Sequence, residues 1–316
     1  MTPDELSVII KEEARICGFD LCGITEAGYL DTEAERMGLW LSKGCNGEME
    51  FLARNFEKRS DASLLVPGAK TVIVLALNYY SEPEAGGVQW PVISRYSSGR
   101  DYHLEVKERM KAMLRSLAAK VPGLEGRIFT DSAPLMEKPL AVRAGLGWQG
   151  KNSLLITRDR GSFFFLGEIV INLPAAFDKP FSTDLCGSCT KCINACPTNA
   201  ITTSGYVDAR RCISYLTVEF KGDIPEEFAG KPGGMVYGCD ICQDVCPHNR
   251  KSLPHSVPAF TRSSALQAMT ASDWNSLTTT RFEEIFHDSA VERIGYERFM
   301  RNIRFSLAAG PGSTER

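Results

Sequence analysis

The sequence lacks the features that direct a chain into a membrane, out of the cell or onto nucleic acid by charge alone. No run in its 316 residues approaches the roughly 18 apolar residues of a membrane span, so we expect none. The opening stretch, MTPDELSVIIKEEAR, has no basic or long apolar segment and no twin arginine, so we expect no export and a cytoplasmic location. The formal net charge is −3, which excludes a chain wholly dedicated to nucleic acid but not a local basic surface.

Histidine is scarce, and the few histidines follow no catalytic spacing. They are scattered along the chain, and spacing alone supports no Ser-His-Asp arrangement. Surface or capping roles are therefore the first interpretation of His103, His248, His255 and His287.

Cysteine, by contrast, is abundant. Eight of the eleven cysteines lie between residues 186 and 246. In a chain expected to stay in a reducing compartment, metal or redox chemistry is a commoner use of cysteine than disulfide bonds. Cys17, Cys22 and Cys45 lie outside this segment and have no ligand spacing, so we interpret them as packing residues.

The apolar pattern divides the chain into three predicted domains or segments. Residues 1–175 combine strands and helices, which indicates an α/β or α+β domain. Residues 176–260 have little periodicity and need a metal to hold them together. Residues 261–316 return to an amphipathic helical pattern. The predicted helices of the first part are 2–17, 31–43, 47–58, 104–119 and 134–144, and its strands are 70–80, 126–131, 153–157 and 162–172.

The two cysteine runs predict two [4Fe–4S] clusters. CGSCTKCINACP (186–197) has the C-x2-C-x2-C-x3-C-P spacing of bacterial-type ferredoxins, in which the cysteine before the proline ligates the other cluster. CDICQDVCP (239–247) supplies only three cysteines, and Cys212 is the one cysteine left between the runs. Applied to both runs, the rule assigns Cys186, Cys189, Cys192 and Cys246 to the first cluster, and Cys196, Cys212, Cys239 and Cys242 to the second.

Zinc is the alternative metal, because pairs of C-x2-C also bind zinc. The repeated x3-C-P step is more typical of cubane clusters, which would make this segment an electron relay. A relay does no chemistry on an ordinary substrate, so residues 1–175 should hold the group that receives the electrons. A non-catalytic electron carrier of the ferredoxin type is the other class of protein, but it leaves those 175 residues unexplained.

Other stretches indicate a cleft in the first part of the chain. Asp131 follows a predicted strand and precedes a predicted helix, where it either faces a cleft or caps the helix. The loop GLGWQGKNS (145–153) matches neither a dinucleotide-binding nor a phosphate-binding motif, so its glycines indicate only a loop that approaches a ligand. DYHLEV (101–106) begins like the D-x-H-x-x-G motif of corrin-binding proteins, but valine at the glycine position excludes it.

Basic residues gather between positions 95 and 115. A solvated helix face is the plain interpretation, and contact with a phosphate backbone is the alternative. The residues are Arg95, Arg100, Lys107, Arg109, Lys111 and Arg115.

Together, these stretches resemble the epoxyqueuosine reductase family from about residue 10 to residue 305. That family is similar in plan to the reductive dehalogenases. The resemblance implies an α+β protein, in which a nitroreductase-like α/β cobalamin-binding domain is joined to a bacterial-type two-cluster ferredoxin domain with C-terminal helices. The matching pieces are FLARN (51–55), SRYSSGRDYH (94–103), TDSAPLMEK (130–138), RAGLGWQGKNSLLI (143–156), GSFFFLGEI (161–169), LCGSCTKCINACPTNAI, ARRCISYLT and YGCDICQDVCPHN.

The resemblance also implies an activity. Family members reduce epoxyqueuosine at the wobble position of tRNA to queuosine, with electrons relayed through the two clusters to cobalamin. Asp131 matches the proton donor, and burial against the corrin would have to raise the pKa of its carboxyl group. Further contacts implied for the cofactor are Arg54, Ser94, Asn152 and Ser153, with Ser214 and Asp240 where the second cluster would meet it.

The implied partners are the anticodon stem-loop of tRNA and an external electron donor such as ferredoxin or flavodoxin. We expect the chain to be a monomer. Longer family members continue into a helical-repeat domain that helps to hold tRNA. The alternative function is another cobalamin-dependent reductase, dehalogenase-like and acting on a small molecule. Such enzymes use a tyrosine with a basic partner where this sequence has Asp131.

Overall fold

The computed structural model describes residues 1–82, 91–202 and 205–307. Helices and strands alternate through the first half, and short helices dominate the second. The α-helices are α1 (Pro3–Ile16), α2 (Asp31–Ser42), α3 (Phe56–Ser60), α4 (Tyr102–Lys120), α5 (Glu137–Arg143), α6 (Lys191–Ala195), α7 (Ile213–Val218), α8 (Ile241–Asp244), α9 (Ser264–Gln267), α10 (Ala271–Asn275), α11 (Thr279–Phe286) and α12 (Gly295–Leu307). The strands are β1 (Leu21–Glu26), β2 (Thr71–Asn78), β3 (Val92–Ile93), β4 (Gly126–Phe129), β5 (Trp148–Gln149), β6 (Leu155–Ile156), β7 (Phe164–Ile171) and β8 (Met235–Tyr237).

A four-stranded antiparallel sheet of order β1-β2-β7-β4 forms the centre of the molecule. The two central strands are almost completely buried because helices cover both faces. Ile73, Leu75 and Leu77 face α1 and α4, whereas Val72 and Val74 face α5. This arrangement confirms the α+β class and explains why these strands read as continuous apolar runs rather than as an alternation.

Local signals account well for α1 and α4. Thr2 and Glu5 form a capping box at α1, with Pro3 at the start of the helix. Helix α4 buries Val106, Met110, Met113 and Leu117, and Asp101 caps its first turn.

Two predicted helices are shorter than expected. Residues 47–58 do not form one helix; a 3₁₀ turn at Glu50–Leu52 is separated from α3 by Asn55, whose φ of 56° interrupts the helical backbone. Helix α5 begins at Glu137 rather than 134. Pro139 then lies in its first turn, where the missing N–H costs no intrahelical hydrogen bond.

The cysteine-rich segment and the C-terminal helices pack against the first part of the chain. Strand β8 pairs in parallel with β3, and Val257 and Phe260 join the apolar core that covers the sheet. The C-terminal helices have their own aromatic core. The boundaries at 175 and 260 remain a prediction, because contacts cross both. Among the described residues, no helix is long and apolar enough to cross a bilayer.

Candidate active site

Four cysteines from both runs line one pocket. They are the four that the spacing assigns to the first cluster, Cys186, Cys189, Cys192 and Cys246. Burial raises the pKa of the Cys246 thiol, and the neighbouring thiols of Cys186 and Cys189 raise it further. Thiols this close together are stable as thiolates only when a cation neutralises them, and four thiolates are the ligand set of a [4Fe–4S] cluster. The donor set therefore fits that cluster.

The remaining four predicted ligands form a second group. Burial is the main cause that raises the pKa of Cys242, and the thiols of Cys239, Cys212 and Cys196 add to it. Cys212 lies directly before α7, where the backbone amides of Ser214 and Tyr215 point to its sulfur and oppose the rise in its pKa. In the described part of the chain, no three of these side chains meet at a point as the ligands of a single metal ion would. The structure thus brings together both predicted sets, and ligation itself stays a prediction.

The exchange of cysteines between the runs has a local cause. Cys196 and Cys246 each precede a proline and both have extended backbone angles, with ψ of 110° and 122°. A residue before proline is pushed out of the helical region, so each short helix ends there and its last cysteine turns away. Helices α6 and α8 pack against each other, which lets each of these cysteines face the other run.

Asp131 lies beside His103 and Asp101 at one edge of the sheet. His103 joins the two carboxylates, with 2.7 Å from Nδ1 to Asp101 Oδ1 and 3.0 Å from Nε2 to Asp131 Oδ2. Its ring stacks on Tyr102 at 4.0 Å between centroids, and Tyr102 stacks on Phe165 at 4.1 Å. The Asp131 side chain is 57% exposed, so it faces solvent at the edge where a ligand could reach it.

The proton of this group lies on the histidine. Burial lowers the pKa of His103, but the hydrogen bonds to Asp101 and Asp131 outweigh it and raise that pKa to about 9. Burial likewise raises the pKa of Asp131, but the hydrogen bond and charge of His103 outweigh burial and lower it. In the protein alone, the cationic histidine therefore keeps the pKa of Asp131 low, and the rise expected from burial against the corrin stays a prediction.

Two more carboxyl groups lie behind Asp131. Glu137 accepts a short hydrogen bond from the backbone amide of Asp131, whose φ of 48° is unusual for a residue other than glycine. Burial and, after it, the charge of Asp131 together raise the pKa of Glu137 to about 7. Glu168 on β7 is completely buried, and neither of its carboxylate oxygens has a hydrogen-bond partner among the described residues. Burial raises its pKa well above the usual range, so Glu168 is protonated.

Sequence reasoning missed His103, Glu137 and Glu168. A signal for His103 was available in the sequence. Asp101 stands at the start of a helix, and His103 follows it by two residues in the first turn. Glu168 stands as the one charged residue in an otherwise apolar strand, FFLGEIVI, which signals a buried carboxyl group. Glu137 has no comparable signal, since acidic residues are common in first helical turns.

The residues predicted to contact cobalamin lie in different surroundings. Arg54 is exposed beside the break before α3. Ser94 is fully buried, and its Oγ has no partner among the described residues, which leaves it free to bind a ligand group. Asn152 lines the pocket of the first cysteine set, and its buried Nδ2 has no partner within the part of the chain that the structure describes. Ser153 reaches across to Gly205 O at 3.4 Å.

The residues predicted between the second cluster and the cofactor differ in exposure. Ser214 is half-buried on α7. Asp240 is 5% exposed and accepts hydrogen bonds from the backbone amide and the guanidinium group of Arg95, at 2.8 and 3.2 Å. Burial raises the pKa of Asp240 to about 6 despite Arg95. Asp240 therefore anchors the loop that holds Ser94 and Arg95.

The glycines of the 145–153 loop serve the protein's own packing. A Cβ on Gly147 would lie 2.1 Å from Ile156 O, and one on Gly145 would lie 2.6 Å from Lys179 O. A Cβ on Gly150 would meet Ile156 at 2.4 Å. Gly147 and Gly150 thus let β5 and β6 approach each other, and Gly145 lets the chain pass close to Lys179. The approach of a ligand to this loop stays a prediction.

Several other candidates have structural roles. Arg95 pairs with Asp240 and Asp244, Arg100 with Glu108, and Arg109 with Glu105, which favours a solvated, paired surface over phosphate contact for these three cations. Cys17 and Cys22 pack against the main core as expected, and burial raises the pKa of Cys22 to about 12.

Two family models match the chain. One, described as a 4Fe-4S double cluster binding domain, matches residues 185–249 and covers both cysteine sets. This match overturns the zinc alternative. The other, described as "Epoxyqueuosine reductase QueG, DUF1730", matches residues 59–132, which include His103 and Asp131.

Similar proteins extend the match to almost the whole chain. The epoxyqueuosine reductase of Cyclobacterium marinum is 45% identical over 305 residues, which cover 96% of this chain and 97% of that relative. A crystal structure of epoxyqueuosine reductase with an epoxyqueuosine-modified tRNA-Tyr stem loop has a TM-score of 0.89 at 33% identity, and covers 96% of this chain and 81% of that one. The Bacillus subtilis epoxyqueuosine reductase, with its catalytic aspartate loop swung out of the active site, has a TM-score of 0.88 at 32% identity and covers 96% and 82%. This chain therefore belongs to the epoxyqueuosine reductase family.

Proposed function

We propose that this chain is an oxidoreductase that reduces epoxyqueuosine in tRNA to queuosine. Electrons would pass through two [4Fe–4S] clusters to cobalamin. The observation that carries the proposal is the combination of two four-cysteine sets with an exposed, histidine-paired Asp131 in a chain 45% identical to a curated epoxyqueuosine reductase. The full-length similarity also argues against a mere electron carrier.

The reaction defines what the side chains must supply. Removing the epoxide oxygen as water and leaving a carbon–carbon double bond consumes two electrons and two protons. Cobalamin, when bound, supplies the low-potential metal centre at which the substrate receives the electrons. The unpartnered, buried Ser94 Oγ fits a hydrogen bond to a polar group of such a cofactor. Arg54, Asn152 and Ser153 complete the proposed contacts, with Ser214 and Asp240 on the side of the second cluster.

Asp131 is the proposed proton donor, and His103 is its proton source. His103 Nε2, which holds the proton, lies 3.0 Å from Asp131 Oδ2, and the exposed carboxyl group can pass that proton to the departing oxygen. His103 is 23% exposed, so water can restore its proton for the second transfer. The Bacillus subtilis epoxyqueuosine reductase, in which a catalytic aspartate loop is swung out of the active site, supports an aspartate in this role.

Glu137 is the proposed positioning residue for this loop. Its carboxylate accepts the Asp131 amide hydrogen bond and thereby holds Asp131 in its left-handed conformation. A left-handed backbone at a residue other than glycine costs about 1 kcal/mol or more and persists only when neighbours hold it. A loop held by one strong hydrogen bond can open for the substrate and close again.

The partners follow from the proposed chemistry. The substrate would be the anticodon stem-loop of tRNA, with the modified base taken out of its stack to reach Asp131. Electrons would come from an external protein such as ferredoxin or flavodoxin. Exposed residues around the first cysteine set, including Gly187, Ser188 and Lys191, support docking of that donor there. We also propose that the chain acts as a monomer in the cytoplasm, where tRNA and reduced cysteine thiols are found.

Anaerobic reconstitution tests the proposal. The chain would be loaded with iron, sulfide and cobalamin, chemically reduced, and given a stem-loop carrying epoxyqueuosine. We expect queuosine, detected by mass spectrometry after digestion of the RNA. A brominated phenol serves as the second substrate, because turnover of the phenol without turnover of the stem-loop would favour the small-molecule alternative and overturn the proposal.

A further inference from the structure

Trp148 connects the loop between α5 and β6 to the first cysteine set. Its indole Nε1–H donates a hydrogen bond to Cys186 Sγ at 3.4 Å. The side chain is only 3% exposed, and it packs with Ile156 and Cys246. Phe181 stacks on the indole ring and His248 meets its face edge-on, with ring centroids 5.7 and 4.8 Å away. Packing on every side therefore holds the N–H group toward the sulfur.

Other polar groups from the same loop also point to this set. Asn152 is 6% exposed, lines the pocket of the four cysteines, and leaves its Nδ2 donor without a partner among the described residues. Lys151 Nζ donates to the carbonyl groups of Gly187 and Cys189, at 2.6 and 3.0 Å. A buried amide donor without a partner is costly, so its position at the pocket indicates an acceptor there.

Hydrogen bonds to the sulfur atoms of a cluster change its reduction potential. Each added electron makes the cluster more negative, and an N–H donor stabilises that added charge on the ligand sulfur. A donor therefore raises the potential, more so where water is excluded. At the second set, the backbone amide of Ala200 donates to Cys196 Sγ at 3.3 Å, and the hydroxyl group of Thr198 lies 3.6 Å from the same sulfur.

We propose that Trp148 sets the reduction potential of the first cluster. Its indole hydrogen bond to Cys186 raises that potential, and the Asn152 amide adds a second donor. The first cluster lies in the more exposed part of the relay, where an external protein can reach it. A higher reduction potential makes this cluster a better acceptor of electrons from that protein. This role is separate from the reduction of the substrate and depends only on the cluster being present. Failure of the epoxide assay would leave it untouched.

The test is an EPR-monitored redox titration of the holoprotein. Trp148→Phe keeps the aromatic packing and removes the N–H group, so we expect one of the two cluster potentials to become more negative while the other stays in place. Trp274→Phe is the matched control, because Trp274 is equally buried at 2% exposure and lies in the C-terminal core. We expect that control to leave both potentials unchanged.

A second measurement uses the unsubstituted holoprotein and is decisive if Trp148→Phe fails to assemble its clusters. Tryptophan labelled with ¹⁵N at the indole nitrogen should give a ¹⁵N coupling to a reduced cluster in pulsed EPR. The same coupling should persist in Trp274→Phe. Unchanged potentials in Trp148→Phe, equal shifts of both potentials, or no ¹⁵N coupling in the labelled protein would each overturn the proposal.

Discussion

At the scale of single residues, the chemistry depends on how His103 and Asp131 share one proton. An isolated aspartate near neutral pH is ionised and a poor acid. The histidine changes this, because its Nε2 lies 3.0 Å from Asp131 Oδ2 and keeps its proton up to a pH of about 9. The exposed carboxyl group of Asp131 would then transfer the proton to the substrate, and the half-buried imidazole of His103 would supply it.

The first prediction concerns Asp131. Asp131→Asn keeps the shape of the side chain but cannot transfer a proton, so we expect turnover of the epoxyqueuosine stem-loop to fall about 10²- to 10⁴-fold. The rate under single-turnover conditions is the measurement, and an unchanged iron content is the control for folding. Full turnover in this variant would show that another group donates the proton.

The second prediction concerns pH. The pKa of His103 is raised to about 9, so the proton is bound below that pH and lost above it. We expect the single-turnover rate to fall as the pH rises through about 9. These ion pairs should contribute their whole share of the free energy of unfolding below pH 6.5, the approximate pKa of histidine in the unfolded chain. That contribution should be lost as the pH rises from there through about 9. In His103→Gln the rate should be low throughout, without this limb. If His103→Gln showed the same fall in rate near pH 9, the fall would come from the titration of another group.

Single residues differ in how far the sequence reveals them. The ligand cysteines were predictable because cluster ligation demands a narrow set of spacings. Asp131 was recognisable through its surrounding motif. His103 was not, because 28 residues separate it from Asp131 and only the return of the chain along α4 and β4 brings the two together. The packing role of the glycines in the 145–153 loop was not predictable, since close approach of two strands and approach of a ligand demand the same residue.

At the scale of elements, the two cysteine runs are predicted to exchange their last ligands. Helices α6 and α8 are only five and four residues long, and a cysteine followed by proline lies one residue beyond α6 and two residues beyond α8. Elements this short are not stable alone, so the clusters would have to hold them. The exchange means that neither run can keep a complete cluster without the other.

The third prediction tests this exchange with double variants. Cys189→Ser with Cys246→Ser removes two ligands of the first cluster only, so we expect about four iron atoms per chain instead of about eight. Cys242→Ser with Cys246→Ser changes two cysteines of one run but one ligand of each cluster, so we expect almost no iron. Cys45→Ser is the control and should retain the full amount. About four iron atoms in both double variants would contradict the exchange.

The fourth prediction concerns the β5–β6 hairpin. In Gly147→Ala the new methyl group would lie 2.1 Å from Ile156 O, so the strands must separate. We expect a loss of about 1–3 kcal/mol in the free energy of unfolding, measured by denaturant titration. Gly28→Ala is the matched control, because its nearest neighbour would lie at 3.8 Å. Equal stability of both variants would show that the hairpin is less closely packed than described.

At the scale of the whole molecule, the cysteine-rich segment is built into the rest of the chain. Strand β8 pairs with β3, and Trp148 from the first half contacts Cys186 in the second. The apolar pattern left the α/β and α+β classes open, the family resemblance indicated α+β, and the cysteine spacing predicted a two-cluster segment. They could not predict these cross-contacts, because pairing between distant strands depends on the assembled sheet and leaves no periodic signal in either strand.

This architecture predicts the direction of electron flow. The first cysteine set lies near exposed residues, and the second lies beside the buried Asp240, which is held by Arg95 in the loop that carries Ser94. Electrons would therefore arrive at the first cluster and leave from the second toward the cofactor. The clusters of one chain can store two electrons, the number that the reduction of one epoxide needs.

A single-turnover experiment tests this account most directly. The holoprotein is reduced, freed of excess reductant under anaerobic conditions, and mixed with one equivalent of the epoxyqueuosine stem-loop. Rapid freezing then allows cluster EPR signals and queuosine to be measured in the same samples. The account predicts that the signals of both clusters disappear as queuosine forms, with two cluster electrons consumed for each product. Queuosine formation with unchanged cluster signals, or oxidation of the clusters without queuosine, would contradict it.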